Sequence, residues 1–579
     1  MSSEKKSLFF TLSTGKYIIF SLVAFLSIQN LSHSIFFKIN FPYSVDFTDI
    51  FTPVFNFLIK DEFTLLINKG IHLLIFPKLI ALPNLYFNSF DVVNTLYFLW
   101  IIASLTIFVM YLILKQTDKK LIWTIIPISA FIYSPLTNSG YFMLTMLEWY
   151  SAMLGITLII YFLNKKTINL KIFSISIFFA IFSTFSILLG VASWIAGLSM
   201  LMKSASTKKF NNKKWLILWI ISSGITGFCY LTLTSGLAEK TYLEPLFSTT
   251  GFSFLANFVA SSFRLKYDFL MIIVGSASFF LAILYTFYFI KKDYLRTYFP
   301  WLTFIFVGFC SAIITALGRS QFSDHLGNEP YYSTISQFFQ IGLLVLNAKI
   351  LSDFLNNPKT FRRKIIIILL ILLVLSQIIL LIPSYYSGWQ RGQIYYDEKI
   401  ETFSCYSLFV DQKCYEKLSQ LALDDDGGNF LLMLNYLIQN KLSIFGEKDF
   451  NSSYQLSYEV FTNLENTETF YDNGQITHAN TIPIINQSEI EVNSELIHIE
   501  GWIDNNDSYD VLVLIDEEPF AFYNDFPIKS EFKDNPDKFK WSITMLSGYI
   551  PKGCNSIQVN LIENNEKFNL GNDIVLCKN

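Results

Sequence analysis

Two carboxylates three residues apart, Asp46 and Asp49, stand in the run Phe41-Pro42-Tyr43-Ser44-Val45-Asp46-Phe47-Thr48-Asp49. On a helical turn that spacing places both on one face. A carboxylate held near apolar rings at a membrane surface has its proton affinity raised and can act as general base toward a hydroxyl. The same pair also suits a helix start, with Asp46 as the cap and Asp49 in the first turn. Glu148, next to Trp149 at the end of an apolar stretch, is a further acidic candidate for lining a site or binding acceptor hydroxyls. Ionisable groups at the edge of a span face a cavity or a partner, or sit in the interface. The cations suited to stabilising a leaving phosphate are Lys78, Arg264, Lys266 and Arg319. Each would equally anchor the chain at lipid headgroups. His72 and His325 could ligate a divalent metal with Asp46 or Asp324, but no ligand spacing supports one and no cofactor is expected.

These residues must be positioned by a chain of 579 residues that is 52% hydrophobic, 17% aromatic and 15% charged. Soluble domains carry roughly 25% charged residues, so an ordinary soluble enzyme is excluded, and the chain is too apolar to be disordered. The net charge of −3 conceals a division after Ser387. Residues 1–387 hold 30 Lys/Arg against 15 Asp/Glu, whereas residues 388–579 hold 13 against 31. The basic half is interleaved with apolar stretches, a membrane pattern rather than a nucleic-acid one.

A membrane helix needs roughly 20 predominantly apolar residues. About eleven stretches qualify or come near: 16–36, 92–114, 121–136, 149–164, 171–188, 190–202, 215–235, 268–290, 297–316, 333–354 and 364–384. The third to sixth are short, and the sixth suits half of a re-entrant pair. Lysine and arginine concentrate in alternate connections, which places the N-terminus in the cytoplasm and the acidic C-terminal part outside. Asp46, Asp49, Glu148 and the four cations then all fall on the external side.

Cysteines agree with that orientation. Cys229 and Cys310 lie in apolar spans, whereas Cys405, Cys414, Cys554 and Cys577 lie in the part assigned outside. An oxidising compartment would permit Cys405–Cys414 and Cys554–Cys577 pairs, among three connectivities. Three domains are expected: a membrane domain over 1–387, an external helical and loop-rich region over 388–494, and a small β-sandwich over 495–579. Period-two segments LIHIEGWID, YDVLVLID, WSITML and NSIQVNLI carry the last assignment. Asp424, Asp425 and Asp426 before Gly427-Gly428 lack the ligand series of a calcium loop, and His478 and His498 are isolated.

An acidic residue in the first external loop, many spans and an external C-terminal domain resemble the integral-membrane glycosyltransferases of the GT-C fold. In particular the layout is similar to bacterial multi-pass proteins grouped with protein mannosyltransferases and O-antigen glucosyltransferases. The segment His72-Leu73-Leu74-Ile75-Phe76-Pro77-Lys78 resembles that family's His-Arg-…-Phe-Pro-Arg run, with Leu73 and Lys78 at the arginine positions. Gly318-Arg319 with Tyr331-Tyr332-Ser333-Thr334 resembles its Gly-Arg…Arg-Tyr pattern, with Pro330 preceding the tyrosines. The resemblance implies a donor sugar on polyprenyl phosphate, a cell-envelope glycan as acceptor, and inverting transfer at the external face of a bacterial inner membrane. It also implies Asp46 as leading base, Asp49 as second, and His72, Lys78, Glu148, Arg264, Lys266, Arg319 and Tyr331 as substrate contacts. A transporter of a lipid-linked saccharide is the alternative, although no internal repeat or set of midplane charges marks one. A non-catalytic envelope assembly protein is a third reading.

Overall fold

The architecture is that of a computed structural model. The structure describes residues 3–37, 73–87, 92–138, 146–165, 167–205, 213–233, 248–319, 327, 329–355 and 361–407 of the helical part. In the C-terminal part it describes 469–470, 474–479, 482–483, 490–491, 496–503, 509–516, 518–526, 530–532, 535–546, 553–563, 566–569 and 574–578. The chain divides into two compact units, and the change from one to the other in the long last helix falls between Tyr395 and Tyr396.

The helices, which belong to the first unit except over Leu85–Val92 and from Tyr396 onward, are α1 (Ser3–Phe36), α2 (Ile75–Phe87), α3 (Val92–Thr117), α4 (Ile125–Ile132), α5 (Pro135–Asn138), α6 (Met146–Leu163), α7 (Leu170–Thr184), α8 (Ala192–Ala205), α9 (Lys213–Leu233), α10 (Thr249–Ala260), α11 (Asp268–Lys291), α12 (Leu295–Arg319), α13 (Pro330–Leu355), α14 (Phe361–Ile379) and α15 (Leu381–Ser407). Eight segments among the described residues are long and apolar enough to cross a membrane: 17–36, 96–117, 146–163, 213–233, 268–291, 295–317, 331–355 and 364–394. The remaining three of the eleven expected stretches are shorter, and each has a local reason.

The stretch 121–136 is broken. Asp118 caps a 3₁₀ turn over Lys119–Thr124 by accepting from the Lys120 N–H at 3.0 Å. Helix α4 then runs eight residues, about 12 Å, before Ser134, which precedes Pro135 and is disfavoured in helical conformation for that reason. A helix end leaves carbonyls without intrahelical partners, and hydrocarbon offers none. Side chains from distant helices supply them. Tyr385 Oη donates to the Ala130 carbonyl at 3.1 Å, Gln337 Nε2 to Phe131 at 2.7 Å and Asn30 Nδ2 to Tyr133 at 3.0 Å. A hydrogen bond of 2.9 Å also joins the hydroxyls of Ser134 and Ser384.

Helices α7 and α8 form a hairpin. Asn169 caps α7 by accepting from the Ile172 N–H at 2.9 Å, and the helix runs 15 residues, about 22 Å. A 3₁₀ turn over Leu188–Val191 reverses the chain at Gly190, where a Cβ would run into the Ser183 carbonyl. The polar groups of this tip are bonded within the hairpin: Trp194 Nε1 donates to Thr184 Oγ1 at 2.9 Å, and Ser193 Oγ to the Ala180 carbonyl at 3.3 Å. The hairpin is too short to span roughly 30 Å of hydrocarbon, and α2 lies against its tip. The Phe76 N–H donates to the Phe185 carbonyl at 3.4 Å, and the Phe76 ring meets that of Phe182 at 4.9 Å.

The second unit holds two sheets. One is ordered β3 (Ile482–Pro483), β2 (Gly474–Ala479), β5 (Leu496–Ile503), β9 (Asn535–Leu546) and β8 (Ser530–Phe532). The other is built on β10 (Gly553–Glu563), which pairs antiparallel with β6 (Tyr509–Ile515), β11 (Glu566–Asn569) and β12 (Ile574–Lys578). Strand β7 (Glu518–Phe526) extends it beyond β6, and β1 (Thr469–Phe470) and β4 (Ile490–Glu491) add in parallel to β11 and β12. The four period-two segments are thus β5, β6, β9 and β10, with His478 and His498 in β2 and β5. Strands also come from before Glu495, where short edges joined by main-chain pairing leave little pattern in the side chains. Ile557 and Val559 of β10 are buried with Gln558 half-buried between them, whereas Val513, Leu514 and Ile515 of β6 are buried in succession, as in a strand covered on both faces.

Cys554 and Cys577 face each other across β10 and β12 and form a disulfide. Cys405 lies on α15, while its side chain and Cys414 fall outside the described residues.

Candidate functional site

The two ends of the helical unit differ. At one end, Lys203 Nζ donates to Asn164 Oδ1 at 2.9 Å, and Asn164 Nδ2 to Gln116 Oε1 at 3.1 Å, so α3, α6 and α8 finish together. The opposite end gathers the start of α6, the finish of α9 and α12, and the start of α13. The described residues proposed from the sequence for substrate chemistry cluster there.

Glu148 sits in the first turn of α6, where a carboxylate favours the positive end of the helix dipole. It is buried, as are Met146, Leu147, Trp149 and Tyr150 around it. Its charge bears on Tyr230, near the end of α9, and a main-chain hydrogen bond joins Leu73 to the Tyr230 hydroxyl. Tyr230 also meets Phe185 at the hairpin tip, 5.9 Å between ring centroids. The short hairpin therefore brings the segment before α2 to the side of Glu148. Lys78, on the next turn of α2, is fully buried, an environment lysine occupies only when its ammonium is satisfied.

One residue along, Trp149 turns to α13. Its ring lies 5.7 Å from Tyr331 and 5.8 Å from Tyr332. Tyr332 is buried against Phe258 of α10 at 5.2 Å, whereas Tyr331 is 37% exposed. The result is an aromatic cluster of tilted and edge-on rings in which Tyr331 is the partly open member. Arg319, exposed at the last residue of α12, exerts its charge on Tyr332. Ser261 and Ser262 both hydrogen-bond Ser336 Oγ, at 2.8 and 2.6 Å, which docks the turn before Arg264 one helical turn from Tyr332. Arg264 follows in a left-handed conformation at φ 43°. Lys266 is exposed, its ammonium 5.6 Å from the Tyr267 ring.

Glu148, Trp149, Tyr331 and Arg319 thus belong to one end of the unit, and Lys78 lies in the first turn of α2, against the hairpin tip that Tyr230 also meets. Asp46, Asp49, His72, Asp324 and His325 lie outside the described residues. Among the described residues no three His, Cys, Asp or Glu side chains gather as a metal site would require. Tyr230 was not singled out from the sequence, where tyrosines at span ends read as members of an interfacial belt. Chemically, the arrangement offers a shielded carboxylate for hydroxyl groups, an aromatic face for a sugar ring or other flat apolar surface, and a guanidinium for an anion.

The eight long apolar helices make this a multi-pass membrane protein with a C-terminal β-sheet unit. No protein-family model matches the chain, and neither does a curated protein or a solved structure.

Proposed function

We propose that the chain is a glycosyltransferase that moves a sugar from a polyprenyl-phosphate donor to a cell-envelope glycan, an inverting transfer of the GT-C kind. The observation that carries this reading is the pairing of buried Glu148 with the partly open Trp149–Tyr331 cluster at the helix ends that also hold Arg319. Protein carbohydrate sites commonly need those three kinds of group: a carboxylate for hydroxyls, a ring for the sugar's apolar face, and here a cation for the departing phosphate. In this reading Asp46 takes the acceptor proton, with Asp49 second, and the site opens to the external side of a bacterial inner membrane. The N-terminus lies in the cytoplasm and the β-sheet unit outside. Cleavage of the sugar–phosphate bond leaves the negative charge on the polyprenyl phosphate, where Arg319, Arg264 and Lys78 lower its energy.

The test is transfer of radiolabelled sugar from a polyprenyl phosphate to envelope glycan by the protein in liposomes. Transfer is expected, and Asp46→Asn should abolish it while the thermal unfolding profile stays that of the parent. Full activity in Asp46→Asn would remove the base assignment. Absence of transfer with every donor, together with movement of lipid-linked saccharide across the liposome, would favour a transporter instead.

A further inference from the structure

A cleft of about 930 Å³ opens among α8, α10, α11, α12 and α13. That size is near the top of the roughly 300–1,000 Å³ typical of ligand sites. Its walls include Phe279, Phe287, Phe299, Phe306, Phe309 and Phe339. Three hydroxyls also reach the lining, and each donates to a carbonyl of its own helix, Thr303 Oγ1 also meeting Met200 Sδ of α8 at 3.5 Å. Ser199 Oγ donates to the Ile195 carbonyl, Thr286 Oγ1 to Ala282 and Thr303 Oγ1 to Phe299, at 2.8, 2.8 and 3.0 Å. The walls therefore suit hydrocarbon. Phe287 and Phe306 are well exposed, so the cleft faces the bilayer side of the unit.

One end of the cleft is cationic. Met202 and Leu295, both in the lining, are the chain neighbours of Lys203 and Arg296. Lys203 leans over Phe299, 5.8 Å from ring centroid to ammonium, and the Arg296 charge acts on it. Arg296 stands three residues before Phe299 on α12, a spacing that puts the two on one helix face, so two cations share this rim of the groove and favour an anion there. Helix α11, whose Phe287 lines the cleft, ends one turn later on Lys291 and Lys292, followed by Asp293. At the other end, Phe279 closes edge-to-face on Phe309 and Phe339, at 5.5 and 5.4 Å.

We propose that this cleft binds an anionic diacyl phospholipid, with its phosphate at Lys203 and Arg296 and an acyl chain along the phenylalanine wall. Charge complementarity selects the headgroup, and the self-satisfied hydroxyls select the tail. The site lies at the end of the unit opposite Glu148, so it is independent of the transferase reading. Bound there, the lipid joins α8 to α12 and lends the unit stability that depends on membrane composition.

The test uses the full chain in nanodiscs of phosphatidylglycerol or phosphatidylcholine, with thermal unfolding and native mass spectrometry of retained lipid. The parent is expected to unfold at higher temperature in phosphatidylglycerol and to retain it over phosphatidylcholine by about tenfold, the weight of one to two interfacial cations. Lys203→Gln with Arg296→Gln should lose both preferences while unfolding as the parent does in phosphatidylcholine. Lys119→Gln with Lys120→Gln, a basic pair elsewhere at the same end, should keep both. A phosphatidylglycerol carrying a photoactivatable acyl chain should label residues 295–309 of the unaltered protein, a readout that needs no variant. Equal retention of the two lipids by the parent, an undiminished preference in Lys203→Gln/Arg296→Gln, or labelling confined to other segments would each overturn the proposal.

Discussion

Tyr331 is the residue on which the substrate reading turns. Trp149 and Tyr332 are buried and hold the cluster together, so their loss would disturb packing as well as binding. Tyr331 is partly open, and truncation there removes a contact surface with less structural cost. If a sugar stacks on it, Tyr331→Ala should raise KM for the glycan substrate about tenfold, the weight of one aromatic contact, with kcat little changed. Tyr331→Phe should retain the parent KM. Steady-state kinetics in liposomes would check both, and an unchanged KM in Tyr331→Ala would place the sugar elsewhere. Gln337 makes a contrasting case. It is buried, and its amide serves the Phe131 carbonyl that the end of α4 leaves open. Gln337→Leu should lower stability by about 1–3 kcal/mol, the cost of an unsatisfied buried polar group, measurable as a lower unfolding midpoint in the same liposomes. Glu148 was legible in the sequence because an acid beside a span is conspicuous. Its partner Tyr230 was not, since it comes from a span far along the chain and resembles any interfacial tyrosine.

Among the elements, close helix packing is the quantity that sequence pattern conveys least. Gly275 of α11 faces the backbone of Ala256 on α10, and a side chain there would meet the Ala256 carbonyl directly. Small residues permit such approach between membrane helices. Gly275→Leu should force α10 and α11 apart and destabilise the unit by about 1–3 kcal/mol, whereas Gly224→Leu on α9, with open space around it, should be near neutral. Comparative thermal unfolding would separate the two. The stretch 121–136 illustrates the same limit. Hydropathy marks it as a span, and Pro135 marks where a helix must stop. Whether a broken helix can rest at membrane depth depends on Asn30, Gln337 and Tyr385 reaching its carbonyls, which no local window contains. The β-strands were more legible, because a period of two is a local property. The two-residue edges β1, β3 and β4 escaped that test by having too few residues to alternate, and β2, Gly474–Ala479, carries only one large apolar residue, Ile476.

For the whole molecule, the Cys554–Cys577 disulfide and the charge division bear on one question, the side of the membrane that the β-sheet unit occupies. The bridge encloses 23 residues of separation, and a loop of that length implies about 3 kcal/mol of stabilisation on the chain-entropy account. Cys554→Ser with Cys577→Ser should therefore lower the unfolding midpoint of the sheet unit without altering that of the helical unit. In intact cells, the proposed external placement requires that an impermeant thiol reagent modify these cysteines after mild reduction. Modification only after the membrane is opened would reverse the orientation.

The sequence by itself determined the properties that are sums over short windows: apolar length, the excess of cations over acids in residues 1–387, and period-two strands. Hydropathy and alternation are additive along the chain, so a window contains all that they require. Only the tertiary structure decided which apolar stretches stay short, which carbonyls are satisfied by side chains up to 255 residues away, and that Glu148, Trp149 and Tyr331 share one end of the unit. Those outcomes depend on pairwise geometry. A buried polar group is stable only beside a partner, and its partner is chosen by packing rather than by its neighbours in sequence.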